Sequence, residues 1–191
     1  EKRLVSVFPG SREFELKNLM PVFKEAVRRL KDRHSDLQFC ISHAPNLSNE
    51  VYEKYLGDCD IKVIKGENQA LLSVSDALIL ASGTVALEAC LYKTPMIIAY
   101  KGPQILYWLY LLVRCIKRVC LPNIIADKDI VPEILQSKAT PMNIVYEIEE
   151  ILYNSERREQ MIKDLGCVKE QLSDKNSALE VAKVIDTELF S

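Results

Sequence analysis

Short apolar runs alternate with longer amphipathic segments over the first hundred residues of this 191-residue chain. The apolar runs have the length of ordinary strands and are bounded by turn signals. We predict strands at 4–8, 37–42, 61–65, 76–81 and 96–100. We predict helices at 13–33, 48–56, 68–74, 84–92 and 104–115. Strands that alternate with helices form βαβ units, so the pattern predicts a doubly wound α/β domain with a parallel sheet.

The chain divides into this α/β part and a helical tail. Residues 77–81 are apolar throughout, as expected of a parallel strand that helices cover on both faces. Pro21 interrupts the first helix and either splits it or marks a second start. The chain begins with Glu1 rather than Met, and we expect it to be a piece of a longer protein. Beyond residue 130 we predict helices only, at 130–136, 141–153, 155–172 and 176–189.

Composition excludes several classes of protein. The net charge of −2 is not the basic footprint that a general nucleic-acid-binding protein needs. The six cysteines form no C-x-x-C pair, which argues against a zinc site and a disulfide framework. Several lie in apolar runs, so we expect reduced and mostly buried thiols, as in a cytoplasmic protein. We find no signal peptide and no apolar stretch long enough to cross a bilayer.

The segment Phe8–Arg12 joins the first predicted strand to the first predicted helix. Such a junction collects unpaired backbone N–H groups and the positive end of a helix dipole. Arg12 adds a further positive charge, so the junction suits an anionic ligand. A Pro-Gly turn with a solvated arginine explains the same residues.

The segment Ala81–Glu88 makes a second transition from strand to helix. We expect Ser82 to cap the helix and Gly83 to let a ligand approach the backbone. Thr84 and Glu88 share one helix face, so a phosphate near Thr84 leaves Glu88 roughly 6 Å along the helix. That position suits a carboxylate that binds two ribose hydroxyls. The alternative is a well-capped turn with a surface glutamate.

Both junctions follow predicted strands, and ligands of doubly wound sheets bind outside the carboxyl ends of the strands. We therefore interpret the two together as a phosphate site between two helix starts and Arg12. The G-x-G-x-x-G, G-x-x-x-x-G-K-[ST] and G-x-S-x-G motifs are absent, so dinucleotide dehydrogenases, P-loop NTPases and α/β hydrolases are not supported. The D-x-D matches at 58–60 and 127–129 are of a kind common by chance, and we predict no metal site.

Residues 104–118 combine an apolar run with a basic end. A helix of this kind is too short to span a bilayer, but it can lie in the membrane interface with Trp and Tyr at headgroup level. A buried core helix or a dimer contact explains the same pattern. The side chains predicted to contact membrane or acyl chains are Tyr107, Trp108, Leu111, Arg114, Lys117 and Arg118.

Six motifs occur in an order that is similar to one known family. They are Pro9–Arg12, Ala81–Glu88, Thr94–Tyr100, the Tyr- and Trp-containing segment, Leu121–Asn123 and Pro132–Gln136. Of these, we predict Leu121–Asn123 to be a short extended turn. With this series the chain resembles the C-terminal half of the lipid-A-disaccharide synthases, glycosyltransferases with two Rossmann-like domains in the GT-B arrangement. The resemblance implies a donor-binding domain at 1–136, a helical tail of the same domain at 137–191, and an N-terminal acceptor domain absent from this chain.

The resemblance also implies a reaction. The family transfers 2,3-diacylglucosamine from its UDP derivative to 2,3-diacylglucosamine 1-phosphate, giving the lipid A disaccharide and UDP. The enzyme would need no cofactor and would act in the bacterial cytoplasm, peripheral on the inner membrane, with a homodimer as one option. We expect the chain alone to bind the donor without turnover.

Site residues follow from the same resemblance. The residues implied to bind the UDP donor are Gly10, Ser11, Arg12, Ser82, Gly83, Thr84, Glu88 and Gln136. Glu88 would bind the uridine ribose, and Arg12 would neutralise the charge that grows on UDP as it leaves. Arg12 and Asn123 form the implied catalytic pair. Two other functions stay open: a UDP-sugar epimerase of similar fold, and a non-catalytic module that docks on a membrane or partner.

Overall fold

Six parallel strands form one sheet in the computed structural model, which describes residues 2–57, 59–102, 118–173 and 186. The strands are β1 (Arg3–Phe8), β2 (Leu37–His43), β3 (Lys62–Lys65), β4 (Ala77–Ala81), β5 (Met96–Tyr100) and β6 (Glu133–Leu135). Their order across the sheet is β3-β2-β1-β4-β5-β6, and every neighbouring pair is parallel. The five strands predicted from the sequence and the doubly wound α/β class are therefore confirmed.

Helices cover both faces of this sheet. They are α1 (Glu13–Arg33), α2 (Asn49–Leu56), α3 (Asn68–Val74), α4 (Val85–Tyr92), α5 (Leu121–Ala126), α6 (Pro141–Tyr153) and α7 (Ser155–Ser173). Helix α1 packs against α2 and α6, while α4 packs against α3, α5 and α7. Helix α1 is continuous through Pro21, so the predicted split at that residue is wrong.

Apolar spacing explains why these elements pack as they do. Most buried residues of α1 recur three or four positions apart, and these are Leu16, Leu19, Met20, Phe23, Ala26, Val27 and Leu30. Val22 is buried as well. All five residues of β4 are buried because helices cover both of its faces. Each fully buried Leu or Phe contributes about 1.5–3 kcal/mol of hydrophobic free energy, so the central strands and α1 dominate the core.

The sheet has a topological switch point between β1 and β4. These strands pair directly, with Val5 beside Ala77 and Phe8 beside Leu80. From β1 the chain adds strands toward one edge of the sheet, and from β4 it adds strands toward the other. The loops that leave β1 and β4 therefore diverge and open a crevice at the carboxyl edge, where doubly wound sheets bind ligands.

The segment after residue 118 differs from its prediction in two places. We predicted a helix over 130–136, but Glu133–Leu135 form β6 and pair with Ile98–Tyr100. Pairing with the edge of β5 and burial of Ile134 outweigh the local helical pattern. We predicted an extended turn at Leu121–Asn123, but these residues begin α5, since Pro122 near the start of a helix needs no N–H partner.

The tail returns to the amino edge of the sheet, far from the crevice. Arg158 of α7 donates a hydrogen bond to the carbonyl of Asp76 at 2.7 Å. At the end of α1, the His34 ring stacks on Tyr153, and its Nε2 lies 2.9 Å from the Glu149 carboxylate. The predicted tail helices at 141–153 and 155–172 are confirmed. The one predicted at 176–189 lies almost entirely outside the described residues.

Candidate functional site

A cavity of about 330 Å³ occupies the crevice between the loops that follow β1 and β4. Six of the eight residues predicted to bind the donor line it, and they are Gly10, Ser11, Arg12, Ser82, Gly83 and Thr84. Glu88 and Gln136 are not among the residues that line it. The two junctions that the sequence singled out thus face one another across a single space.

The first junction is closed by a carboxylate of its own helix. Glu15, in the first turn of α1, accepts hydrogen bonds from the backbone N–H groups of Ser11 at 2.8 Å and Arg12 at 3.2 Å. Gly10 has φ +106, and a Cβ there would lie 2.7 Å from the Cβ of Glu15. Glu15 was not predicted, although a glutamate at the third helical position is the known signal of a capping box.

Glu15 accepts from the backbone N–H groups of this loop and does not pair with the Arg12 guanidinium. Arg12 is exposed and begins α1 in an extended conformation. Its guanidinium makes no ion pair with any residue in the described part of the chain. The first junction therefore offers the cavity a cation on a rigid frame.

The second junction is open. Within the described ranges, the N–H groups of Gly83, Thr84 and Val85 donate no hydrogen bond. Nothing lies within 4 Å of the position that a Cβ on Gly83 would take. Helix α4 begins after Thr84, with no side-chain cap, so the prediction that Ser82 caps it is wrong. Ser82 instead directly follows β4, and its N–H donates to the carbonyl of Ala99 at 3.2 Å.

Glu88 lies four residues beyond Thr84 on α4 and is exposed. Four residues advance a helix by roughly 6 Å, so this carboxylate stands just outside the cavity, on the face that continues from Thr84. If the anionic group of a ligand lies in the cavity, an adjoining group of the same ligand can reach Glu88. The role of Glu88 as a ribose ligand stays a prediction.

Two polar side chains of the cavity were missed by sequence reasoning. The hydroxyl of Ser42, at the end of β2, donates to Oδ1 of Asn68 at 2.5 Å. This bond orients the Asn68 amide, and both residues line the cavity. No motif marks them, because they are brought together by strand pairing between β2 and β3 and not by sequence spacing.

Asn123 is buried in the core of the β6 region and does not line this cavity. Its amide nitrogen donates to the carbonyl of Val131 at 2.8 Å and to Glu133 at 2.9 Å. Its amide oxygen accepts from the N–H groups of Ile130 and Val131, both at 2.9 Å. All four of its hydrogen-bonding positions are used, so this geometry leaves none for a substrate and does not support the predicted catalytic role.

The same network explains how two motifs are coupled. The Glu133 carboxylate also accepts from the N–H groups of Val119 and Cys120 at 3.0 Å, just before α5. Asn123 and Glu133 together hold α5 against β6. Gln136 follows β6 at the carboxyl edge of the sheet with φ +52, an unusual conformation for a residue other than glycine.

A larger cavity, of about 810 Å³, lies between β6, α6 and α7. Its cations already have carboxylate partners: Lys128 pairs with Asp164 at 3.0 Å, and Arg157 pairs with Glu147. It lies away from both strand-to-helix junctions. Charge and position therefore favour the smaller cavity as the functional site.

Most of the predicted membrane-contact segment lies outside the described residues, including Tyr107, Trp108, Leu111, Arg114 and Lys117. Arg118 is described, and its guanidinium donates to Asp129 at 2.7 Å and to Asp127. Asp129 and Asp127 raise the pKa of Arg118 further above its ordinary value. Arg118 is thus an internally paired cation and not a free one.

The described residues also bear on two other kinds of site. None of the helices there has the length and apolar character needed to cross a membrane. None of the His, Cys, Asp and Glu side chains in those ranges form a group of three that could hold a metal ion. The cysteines in those ranges are free thiols, and burial raises the pKa of Cys90 to about 12.

Comparisons with known sequences identify relatives across the whole chain. A family model described as Lipid-A-disaccharide synthetase matches residues 1–186. A lipid-A-disaccharide synthase from Coxiella burnetii is 34% identical over 191 residues, which cover 100% of this chain and 50% of the relative. Another from Anaeromyxobacter dehalogenans is 35% identical over 184 residues, covering 95% and 48%. The chain spans about half the length of the curated relatives it matches.

Solved structures share the fold at low sequence identity. A UDP-GlcNAc 2-epimerase from Neisseria meningitidis, bound to UDP-GlcNAc, has a TM-score of 0.58 at 14% identity, with 91% of this chain and 45% of that chain covered. The glycosyltransferase SnogD from Streptomyces nogalater has 0.58 at 18%, covering 97% and 43%. The ADP-heptose heptosyltransferase II of E. coli has 0.58 at 13%, covering 82% and 48%.

Proposed function

The chain belongs to the lipid-A-disaccharide synthetase family, and from this premise we propose that it is the donor-binding half of a lipid A glycosyltransferase. The donor is UDP-2,3-diacylglucosamine and the acceptor is 2,3-diacylglucosamine 1-phosphate. Family membership favours this reaction over the epimerase alternative, because the epimerase likeness is one of fold alone. The observation that carries the proposal is the cavity, which is lined by Arg12 on one side and on the other by Gly83, Thr84 and Val85, whose N–H groups have no acceptor among the described residues.

The diphosphate of the donor fits the open junction. The N–H groups of Gly83, Thr84 and Val85 stand at the start of α4, where the helix dipole favours an anion. The empty space above Gly83 lets a phosphate oxygen come close to the backbone. Ser82 and Thr84 add hydroxyl donors on the same loop.

The uridine end of the donor then extends along α4. Glu88 lies one turn beyond Thr84 and is exposed, so its carboxylate can accept hydrogen bonds from the two ribose hydroxyls. Gln136 directly follows β6, which lies two strands away from β4, and strands lie about 4.8 Å apart. We assign Gln136 to the outer part of the same donor site.

Arg12 stabilises the leaving group. The acceptor hydroxyl attacks the anomeric carbon, the bond to the diphosphate oxygen breaks, and its electron pair stays on UDP. The charge on UDP therefore grows in the transition state, and a cation held in place beforehand stabilises it without reorganisation. Asn123, which lies in the core, acts by holding α5 and β6 in register and not by touching substrate.

The membrane-related parts of the proposal rest on the substrates. Both substrates carry acyl chains, so we place the enzyme in the bacterial cytoplasm, peripheral on the inner membrane, with residues 104–118 as the contact segment. Arg118 is excluded from the lipid-facing set because two aspartates engage it. A homodimer is compatible with this arrangement.

Calorimetric titration of UDP tests the donor site. We expect the 191-residue chain to bind UDP and Glu88→Ala to lose most of that binding. Glu53→Ala is the matched control, because Glu53 is also an exposed helical glutamate but lies on α2, away from the cavity. Equal UDP affinity in Glu88→Ala and the wild type would contradict the ribose assignment.

A turnover assay with both acylated substrates tests the division of labour. We expect no disaccharide from this chain alone, since it matches the C-terminal half of its relatives. Full transferase activity of the isolated chain would show that the acceptor site and general base lie within these residues.

A further inference from the structure

The strongest unassigned feature of the cavity is the carboxylate that lines it. Glu15 lies among the residues around the space that we assign to an anionic ligand. An acidic side chain in such a place opposes the ligand unless it has another role. Its contacts indicate what that role is.

Glu15 acts on the loop and not on the cavity. Its Oε2 accepts from the N–H of Ser11 at 2.8 Å and from the N–H of Arg12 at 3.2 Å. It also packs against Gly10 so closely that only a glycine fits there. Three consecutive residues of the loop are therefore held by a single side chain.

This arrangement has a consequence for ligand binding. The two N–H groups of the first junction already have an acceptor, so a phosphate cannot use them without displacing Glu15. The cation that the loop can offer is the Arg12 side chain, whose backbone is fixed at φ −123 and ψ 142 as α1 begins. The direction from which that side chain enters the cavity depends on the frame that Glu15 maintains.

We propose that Glu15 is a positioning residue, which holds the Pro9–Arg12 loop so that Arg12 reaches the donor diphosphate. This inference rests on the proposed UDP site and adds a residue to it. Glu15 does not touch the donor in this account. It acts through Arg12, as an internal anion that keeps the loop amides satisfied before and after UDP leaves.

Two substitutions of Glu15 distinguish the effect of its side-chain length from the effect of its charge. Glu15→Gln keeps an oxygen at the same distance from the backbone, so the loop hydrogen bonds survive without the charge. Glu15→Asp keeps the charge but is one methylene shorter, so it does not span to both N–H groups. An aspartate in the first turn of a helix is well tolerated, and we expect both variants to fold.

Glu13→Gln is the matched control. Glu13 also lies in the first turn of α1, but its carboxylate accepts from Lys54 at 3.0 Å and Tyr55 at 2.9 Å, away from the loop amides. Uridine is the second control, since it carries the nucleoside without a diphosphate. Both ligands are titrated into the 191-residue chain and its variants, by calorimetry for UDP and by ligand-observed NMR for uridine.

Each variant has a distinct expected result. Glu15→Asp weakens UDP binding by about ten-fold, the size of one lost charge-assisted hydrogen bond, while uridine binding is unchanged. Glu15→Gln stays within about three-fold of the wild type, because a neutral acceptor replaces a charged one. Glu13→Gln binds both ligands like the wild type. In an Arg12→Ala background, Glu15→Asp has no further effect on UDP.

Other results overturn the inference. Tighter UDP binding in Glu15→Gln would show that Glu15 competes with the diphosphate instead of positioning Arg12. Equal losses for UDP and uridine in Glu15→Asp would show general damage to the cavity. A full additional loss in the Arg12→Ala background would show that Glu15 acts independently of Arg12. If the wild type binds no UDP, the proposed donor site itself fails, and this inference fails with it.

Discussion

The two strand-to-helix junctions around the cavity satisfy their backbones in opposite ways. After β1, Glu15 accepts from the loop N–H groups of Ser11 and Arg12, so the backbone is closed. After β4, the N–H groups of Gly83, Thr84 and Val85 have no acceptor among the described residues, so the backbone is open. Both junctions follow buried parallel strands and precede helices, and they differ mainly in whether a first-turn carboxylate folds back.

The difference indicates a division of labour. An open helix start offers fixed dipoles but no mobile charge, whereas a closed one can present a charged side chain on a rigid loop. Helix α4 has only Glu88 as an acidic residue in its first turns, and that side chain is exposed instead of folding back on the loop. The cavity thus combines backbone donors from one side with a guanidinium from the other.

The largest expected effect comes from adding a methyl group to the closed junction. Gly10→Ala places a Cβ against the Glu15 side chain and forces φ +106 on a residue that disfavours it. We expect a loss of about 2 kcal/mol or more in the free energy of unfolding, measured by urea denaturation. Unchanged stability would show that the closed loop is not held as tightly as its contacts indicate.

The same substitution at the open junction has a different consequence. Gly83→Ala meets nothing within 4 Å and needs no left-handed backbone, so stability stays within about 0.5 kcal/mol of the wild type. We expect UDP affinity to fall by about ten-fold, since the new methyl group occupies the space through which a phosphate approaches the backbone. Calorimetry and urea denaturation of the same preparation separate the two effects. If Gly83→Ala lost stability but kept its UDP affinity, the open junction would have a structural role and not a ligand-binding one.

A smaller effect is expected from the hydroxyl of the open junction. Thr84→Val keeps the shape of the side chain and removes one donor, so UDP affinity drops by roughly 1 kcal/mol of binding free energy. Stability is unaffected, because Thr84 is exposed and its side chain does not cap α4. Loss of stability without loss of affinity would give Thr84 a structural role instead.

The smallest effect is expected at the opposite edge of the sheet, which serves as a reference. Burial raises the pKa of Glu149, but hydrogen bonds with His34 and Arg33 outweigh it and hold the pKa below its ordinary value. A depressed carboxylate pKa stabilises the fold above the unfolded-state pKa, and this contribution disappears as the pH falls through the folded-state pKa. Glu149→Gln should therefore cost less than about 1 kcal/mol near pH 7 and almost nothing at strongly acidic pH. Its UDP affinity should match that of the wild type at neutral pH.

The sheet and most helices could be predicted because their signals are local. Strand β4 is apolar throughout, and α1 repeats its buried positions every three or four residues. Strand β6 could not be predicted, since three residues carry no periodicity and only the free edge of β5 decides their state. Pro21 likewise failed to split α1, because burial of the helix on the sheet outweighs one missing hydrogen bond.

The loops that form the site could be predicted from the sequence, but the side-chain hydrogen bonds within it could not. Motif spacing and the carboxyl-end rule brought the two junctions to one cavity. The closing role of Glu15 depends on how the loop turns back, and the Ser42–Asn68 pair depends on strand register. The motif placed Asn123 near the ligand, but all four of its hydrogen bonds are made to other residues of the protein core.

UDP affinity of Arg12→Ala, measured by calorimetry beside the wild type, tests the central claim most directly. Lys17→Ala is the matched control, as an exposed cation on the same helix that does not line the cavity. The account predicts a loss of at least about ten-fold for Arg12→Ala, the size expected of a charged contact with phosphate, and no change for Lys17→Ala. Equal affinity in Arg12→Ala and the wild type would contradict the claim that the closed junction supplies the cation of the donor site.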